Sequence, residues 1–255
     1  MIRHEPAAHS KSCRRALLRT WLMWTLVLPL VEGSAAARAD TAVGNGKAVS
    51  EARTTAEFSA IALKGSMALE LRQGSPAAVV VHADSNLLPL LESVVDNDRT
   101  LQLRWRHGTS VHTDSRAWVE VTAPQIAAVS SAGSGDIVID SMRLPQLSLS
   151  ITGSSNVRAK ALNTDDLSLG IAGSGNAHLA GRAARLALEL SGSGAIDAAE
   201  LRADNVRVSI AGSGSASVNA ARTLAASIAG SGNVTYSGEP TVQRAIAGSG
   251  RLRRR

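Results

Sequence analysis

Serine, histidine and aspartate are the residue types through which this chain could act chemically, and their spacing decides which chemistry is open. His82, His107, His112 and His178 are scattered, and His107 and His112 stand five apart rather than at the i, i+4 spacing of a helical zinc pair. Serines are abundant, but none sits in a nucleophile elbow beside an evident base. Asp165-Asp166 and Asp96-Asn97-Asp98 are isolated acidic turns that read as solvated loops. Calcium needs about six to eight oxygen ligands, whereas the glycine-rich corners described next carry Ser and Asn, with Asp136 as the lone acid. Polysaccharide cleavage calls for clustered carboxylates and aromatic platforms, yet Tyr236 is the one aromatic residue beyond position 126. These residues point to a protein that is not an enzyme, with no catalytic residues, no cofactor and no metal.

What does recur at fixed spacing is glycine around serine. Gly-Ser-Gly, or Gly-Ser-Ser in one copy, begins at Gly133, Gly153, Gly173, Gly192, Gly212, Gly230 and Gly248, at intervals of 20, 20, 19, 20, 18 and 18 residues. An alternating apolar strand precedes each internal copy: Leu147, Leu149, Ile151; Leu167, Leu169, Ile171; Leu186, Leu188, Leu190; Val206, Val208, Ile210; Leu224, Ala226, Ile228. Period-two patterning puts each trio on one strand face. A near-constant period predicts a parallel solenoid, in which equivalent positions stack and one corner is reused in every layer; a meander would send alternate turns to opposite ends. Six intervals at the usual strand spacing rise roughly 30 Å. Four Trp, one Tyr and one Phe in 255 residues demand a narrow core of Ala, Val, Leu and Ile. The expected surface feature is a ladder of Ser134, Ser154, Ser174, Ser193, Ser213, Ser231 and Ser249 up one edge. Asn156, Asn176 and Asn233 flank it, with Asp136 and Ser215 in related positions, and Ser and Asn side chains hydrogen-bond one another and the turn backbone.

The net charge of +6 raises the question of nucleic acid. Residues 40–255 hold 21 basic and 19 acidic groups, and four of the basic ones are Arg251, Arg253, Arg254 and Arg255. Without those four the body is net negative and has no basic stripe, so no nucleic-acid partner is expected. Residues 1–39 read as a signal peptide: Arg14, Arg15 and Arg19, the apolar run 21–31, then small residues ending in Ala37-Arg38-Ala39. The run is short for a membrane span, so after cleavage the chain is not an integral membrane protein. The arginine pair leaves the general and twin-arginine export routes both open. Cys13, the only cysteine, leaves with the signal and takes disulfide chemistry with it.

Residues 40–53 read as a flexible lead-in, and strands are expected over 60–63, 67–71, 77–82, 101–105 and 117–121, with one short helix or helical turn over 86–95 around Pro89. Phe58-Ser-Ala-Ile61, Leu69-Glu-Leu-Arg-Gln-Gly74, Val79 to Leu88, Leu101-Gln-Leu103 and the Gly-Ser-Gly ladder together resemble the auto-transporter adhesin head GIN domain family. The resemblance spans about 54–250: irregular N-terminal coils over 54–125, repeat coils over 126–250, then a basic tail over 251–255. It implies an all-β, right-handed single-stranded β-helix outside the cytoplasm and brings no catalytic residues with it. The chain departs from a full autotransporter, with neither a heptad stalk nor a C-terminal barrel segment.

The functional expectation is a secreted, non-catalytic module of a Gram-negative envelope, periplasmic, outer-membrane associated or at the cell surface, that binds or adheres. Its expected partners are an envelope polysaccharide, a lipid surface or a protein. Two alternatives stand beside it: a polysaccharide-modifying β-helix enzyme, and a structural envelope protein that assembles end to end. The tail arginines would either blunt an open sheet edge or attract anionic envelope surfaces.

Overall fold

A computed structural model describes residues 40–255; residues 1–39, which hold Cys13 and the expected signal peptide, lie outside the described residues. The strands are β1 (Asp40–Val43), β2 (Ala48–Arg53), β3 (Ala60–Gly65), β4 (Ala68–Gln73), β5 (Ala78–Asp84), β6 (Leu91–Val95), β7 (Thr100–Trp105), β8 (Thr109–His112) and β9 (Trp118–Ala123). They continue as β10 (Ala128–Gly133), β11 (Ile137–Gly153), β12 (Val157–Gly173), β13 (Asn176–Gly192), β14 (Ala195–Gly212), β15 (Ser215–Gly230), β16 (Asn233–Ser237), β17 (Thr241–Gly248) and β18 (Arg251–Arg254).

From β10 onward the chain is a parallel solenoid. Each of β11 to β15 is one coil of 16 to 18 residues between successive Gly-Ser corners, paired in parallel with the coil before and after it. Equivalent residues stack as the repeat predicts: Leu149, Leu169, Leu188, Val208 and Ala226 form one inward column, and Ile151, Ile171, Leu190, Ile210 and Ile228 another. All ten are 4% exposed or less. With side chains alternating in and out at every step, aliphatic stacks fill the interior and few aromatic rings are needed.

The change from 20-residue to 18-residue coils is absorbed away from the glycine corner. Between β14 and β15 the pairing jumps from Ala198↔Val218 to Arg202↔Asn219 and again between Ala203 and Asn205, after which Gly212 meets Gly230 in register. The Gly-Ser corner is the fixed point because its backbones nearly touch. Gly173 has φ +134°, and a Cβ there would lie 2.2 Å from the Gly153 carbonyl oxygen, so conformation and space both require glycine.

The second glycine of the later triplets packs on the core: a Cβ at Gly214 would fall 2.4 Å from Leu190 Cδ2, one at Gly232 2.7 Å from Ile210 Cγ2 and one at Gly250 2.6 Å from Ile228 Cγ2. The Gly-Ser-Ser copy escapes this clash through a paired change. Ser155 occupies that glycine position and is fully buried, and Ser131 stands in the column where later coils carry Ile151 and Ile171. The two hydroxyls meet at 2.9 Å, so a small polar pair replaces an isoleucine against a glycine and satisfies its own hydrogen bonds.

The N-terminal half departs from the repeat. β3 lies under β10 with Gly65 opposite Gly133, so the ladder starts one rung earlier than the triplets indicate. Between these strands the chain leaves the stack and adds antiparallel pairs, β2 with β5, β5 with β9 and β6 with β7. Three expectations need correction. Residues 86–95 hold the helical turn expected around Pro89 but not a short helix: one 3-10 turn at Leu88–Leu90 leads into β6, because Val94 and Val95 pair with β7 across the sheet. Residues 40–53 are not a flexible lead-in, since β1 pairs with β8 and β2 with β5. Residues 251–255 are not a tail outside the stack, since β18 pairs with β16 as its last layer.

Candidate functional site

The predicted serines do stack, but their backbones make the ladder. The amides of Ser154, Ser174, Ser193, Ser213 and Ser231 each donate to the first glycine's carbonyl one coil below, at 2.9 to 3.1 Å, and Ser134 reaches Gly65 at 3.3 Å. At Ser249 the next residue does this work, Gly250 donating to Gly230 at 3.0 Å. All seven serines are exposed, as is Ser66 below them. Among the described residues their hydroxyls make no hydrogen bond to protein, which corrects the expectation that the side chains tie the corners together.

The asparagine column is bonded where its members are adjacent. Asn156 Nδ2 donates to Asp136 Oδ1 at 3.0 Å and Asn176 Nδ2 to Asn156 Oδ1 at 3.1 Å, while the Ala195 amide donates to Asn176 Oδ1 at 3.2 Å. Asn233 stands apart, because Ala195 and Ser215 fill the two intervening rungs. Beside the column runs an open hollow of about 710 Å³ that includes Arg158, Lys160 and His178. His178 lies 3.5 Å from Asp197 and 3.6 Å from Glu200, and Lys160 lies 3.5 Å from Asp140. On another face a hollow of about 530 Å³ follows Gln146, Asp166, Arg185, Asn205 and Thr223. There Arg185 forks onto Asp166, and that pairing holds the Asp166 carboxyl below the usual carboxylate range.

A third cavity, of about 400 Å³, opens at the foot of the ladder. Ser66, Ser134 and Asp136 form its ladder side, Val111 to Thr113 and Ser115 to Ala117 its other wall, and Trp105 also lines it. Gly65 seats the indole: a Cβ there would lie 3.2 Å from Trp105 Cδ1. The wall is fixed by the buried Asp84, 1% exposed, whose Oδ2 accepts from Thr113 Oγ1 at 2.6 Å. Thr113 Oγ1 in turn accepts the Ser115 amide at 3.0 Å. The Thr113 hydroxyl holds the Asp84 carboxyl below its ordinary range, outweighing the opposing effect of burial.

The sequence reading missed Ser66, Trp105, His112 and Arg116. A signal existed for the first: Ile61-Ala-Leu63-Lys-Gly65-Ser66 repeats the apolar alternation and Gly-Ser of the later coils, but 68 residues ahead of Gly133, outside the period. One Ser–His contact exists on the N-terminal face, Ser50 Oγ to His82 Nδ1 at 2.8 Å. His82 stacks flat on Trp118 at 3.7 Å, and its buried Nε2 has no partner. Among the described residues no carboxylate orients that ring, so the pair lacks there the third member that activates a serine.

No curated protein matches the chain. Among solved structures, a putative adhesin from Bacteroides fragilis shares the fold with a TM-score of 0.78 at 24% identity, over 84% of this chain and all of that one. A putative lipid binding protein from Parabacteroides distasonis gives 0.72 at 25% identity, and a putative adhesin from Parabacteroides merdae 0.68 at 26%, each over 85% of this chain and all of its counterpart. Residues 57–240 match the family described as "Putative auto-transporter adhesin, head GIN domain". With the match covering most of the chain and the stacked Gly-Ser corners in place, the protein belongs to this head GIN domain family.

Proposed function

We propose that the protein is an exported, non-catalytic binding module of the cell envelope that presents the serine corner to an envelope polysaccharide, a lipid surface or a protein. In this reading residues 1–39 direct export and residues 40–255 form the head, in the periplasm, on the outer membrane or at the cell surface. One observation carries it: exposed hydroxyls at Ser66, Ser134, Ser154, Ser174, Ser193, Ser213, Ser231 and Ser249 stand on a stack whose own hydrogen bonds do not use them. Such a face is rigid before binding, so little ordering entropy opposes association. Relatives described as adhesins and as a lipid binding protein fit a surface-binding role. The test is co-sedimentation with envelope fractions, lipid vesicles and purified envelope glycans. The wild type should bind one of these, and the triple variant S174A/S193A/S213A should keep the fold and lose about tenfold or more in affinity, equivalent to roughly 1.4 kcal/mol. Equal binding by the two, or none by the wild type, overturns the proposal.

A second reading, end-to-end assembly, draws on the end layers. The exposed large apolar residues among those described are Val43, Val49 and Val94 in the N-terminal half and Val242 and Ile246 on the last coil. The same last coil puts Arg244 on the inward column above Ala226, a charge that opposes stacking of a further strand. Analytical ultracentrifugation separates the readings: concentration-dependent polymers support assembly, and a monomer at all concentrations rules it out.

A further inference from the structure

At the foot of the ladder the rungs Ser66 and Ser134 face a wall, and the cavity between has the volume of a small-ligand site. The lining carries one carboxylate and one guanidinium. Asp136 is engaged by the Asn156 amide at 3.0 Å, while Arg116 makes no ion pair among the described residues. An unmatched guanidinium suits a planar carboxylate, which it can grip through two N–H groups. Trp105 supplies a flat apolar surface, and its buried indole nitrogen makes no hydrogen bond. Hydroxyls at Ser66 and Ser134 can both donate and accept. A ring edged with hydroxyls and bearing one negative group matches this set better than a purely apolar ligand or a bare anion.

The wall is built in advance. β1 pairs with β8 over four residues, the Gly44 amide donates to the His112 carbonyl at 2.8 Å, and Asp84 pins Thr113 and through it Ser115. A preformed wall lowers the ordering cost of closing around a small molecule.

We propose that this cavity binds a saccharide residue carrying a carboxylate, with the ring against Trp105 and the carboxylate on Arg116. The proposal deepens the envelope-binding reading and rests on it: the foot of the ladder recognises an acidic sugar, and the rungs above hold the chain that carries it. Whether that sugar belongs to a polysaccharide or to a glycolipid headgroup, the recognised chemistry is the same.

The test titrates the full chain with glucuronic acid, glucose and inorganic phosphate, followed by amide NMR shifts. Glucuronic acid should shift residues 105 and 111–117 and bind at least about tenfold tighter than glucose, the scale of a charge-assisted contact. Phosphate alone should bind no tighter than glucose. Arg116→Gln, an exposed position, should bring glucuronic acid down to the affinity of glucose, and Trp105→Phe should weaken both sugars while sparing the ladder. Equal binding of the two sugars, an unchanged Arg116→Gln variant, or phosphate binding as tight as glucuronic acid overturns the proposal. Comparing purified uronate polymer with vesicles bearing a uronate glycolipid then separates the two sources. If Arg116→Gln still binds envelope fractions at wild-type affinity while S174A/S193A/S213A does not, the acidic-sugar site falls and the wider binding function stands. If both variants bind envelope fractions normally, the wider function falls.

Discussion

From Gly133 to Gly248 the chain solves one problem six times, whereas from Asp40 to Ala127 it uses a different solution at almost every strand. The repeat half is parallel and in register, and its corner geometry is set by two backbones in contact. The N-terminal half contains all three antiparallel pairs, the 3-10 turn and both described tryptophans. The difference follows from position. A coil inside a stack needs only to match its neighbours, while the layer that begins a stack has to finish an open sheet. Finishing it sets residues between Val111 and Ala117 beside Ser66 and Ser134 and makes a cavity the regular coils do not repeat.

The sharpest way to break the comparison is at the corner. Gly173→Val should destabilise the protein by about 3 kcal/mol, combining a left-handed backbone with a side chain driven into the Gly153 carbonyl. In the N-terminal half Gly108 also has positive φ, +80°, but a Cβ there meets nothing within 4 Å. Gly108→Ala should therefore cost only about 1 kcal/mol. Urea unfolding of the two variants measures both, and equal losses would show that contact between coils is not what fixes the corner.

Next in size is the exceptional pair. Ser131→Ile restores the residue of the later coils but drives a methyl-bearing chain into Ser155, at a cost of about 2 kcal/mol. The double variant S131I/S155G should recover most of that loss, and the double-mutant cycle reads the coupling directly. Additive effects would contradict the complementary packing.

Acid should reach the N-terminal half first, because in the coils the lowered carboxylate described above, Asp166, sits in an exposed pair with Arg185. Asp84 and Asp96 both have pKa values below the ordinary carboxylate range, Asp84 chiefly through the Thr113 hydroxyl and Asp96 chiefly through the Thr100 amide. Because the folded values lie below the unfolded ones, the stabilisation is complete above the ordinary range and is lost as pH falls through the lowered values, from about pH 4 downward. Amide signals of residues 84, 96–100 and 113–115 should weaken before those of the coils. Loss of the coil signals first would contradict the assignment. The smallest expected effect on stability is at the far end: Arg244→Val should change it by less than about 0.5 kcal/mol yet raise self-association in sedimentation velocity. No change in association would show that the inward charge does not protect the edge.

The coils were legible because each carries its own evidence, an apolar alternation followed by Gly-Ser, and the register then follows from the fixed corner. Strand β2 was hidden because Ala48–Arg53 is exposed along most of its length, and its one pairing partner, β5, lies some 30 residues away. Residues 86–95 misled because Leu-Leu-Pro-Leu-Leu fits a helical turn as well as a buried strand, and the pairing of β6 with β7 decides between them. The ladder could be read from serine spacing, but the use of amides rather than hydroxyls could not, since it depends on how closely the glycine backbones approach. The foot cavity draws on positions 66, 105, 112, 116 and 134, and no local pattern connects residues brought together by a 68-residue excursion.

The central claim is that equivalent serines rise along a single axis. Nitroxide labels at Ser134→Cys paired in turn with Ser193→Cys, Ser213→Cys, Ser231→Cys and Ser249→Cys, with Cys13 replaced by serine, test it by electron–electron distance measurement. The stack predicts separations that lengthen by about 4.8 Å per coil, from roughly 14 Å to roughly 29 Å. Distances that alternate between short and long, or fail to grow with coil number, would contradict it.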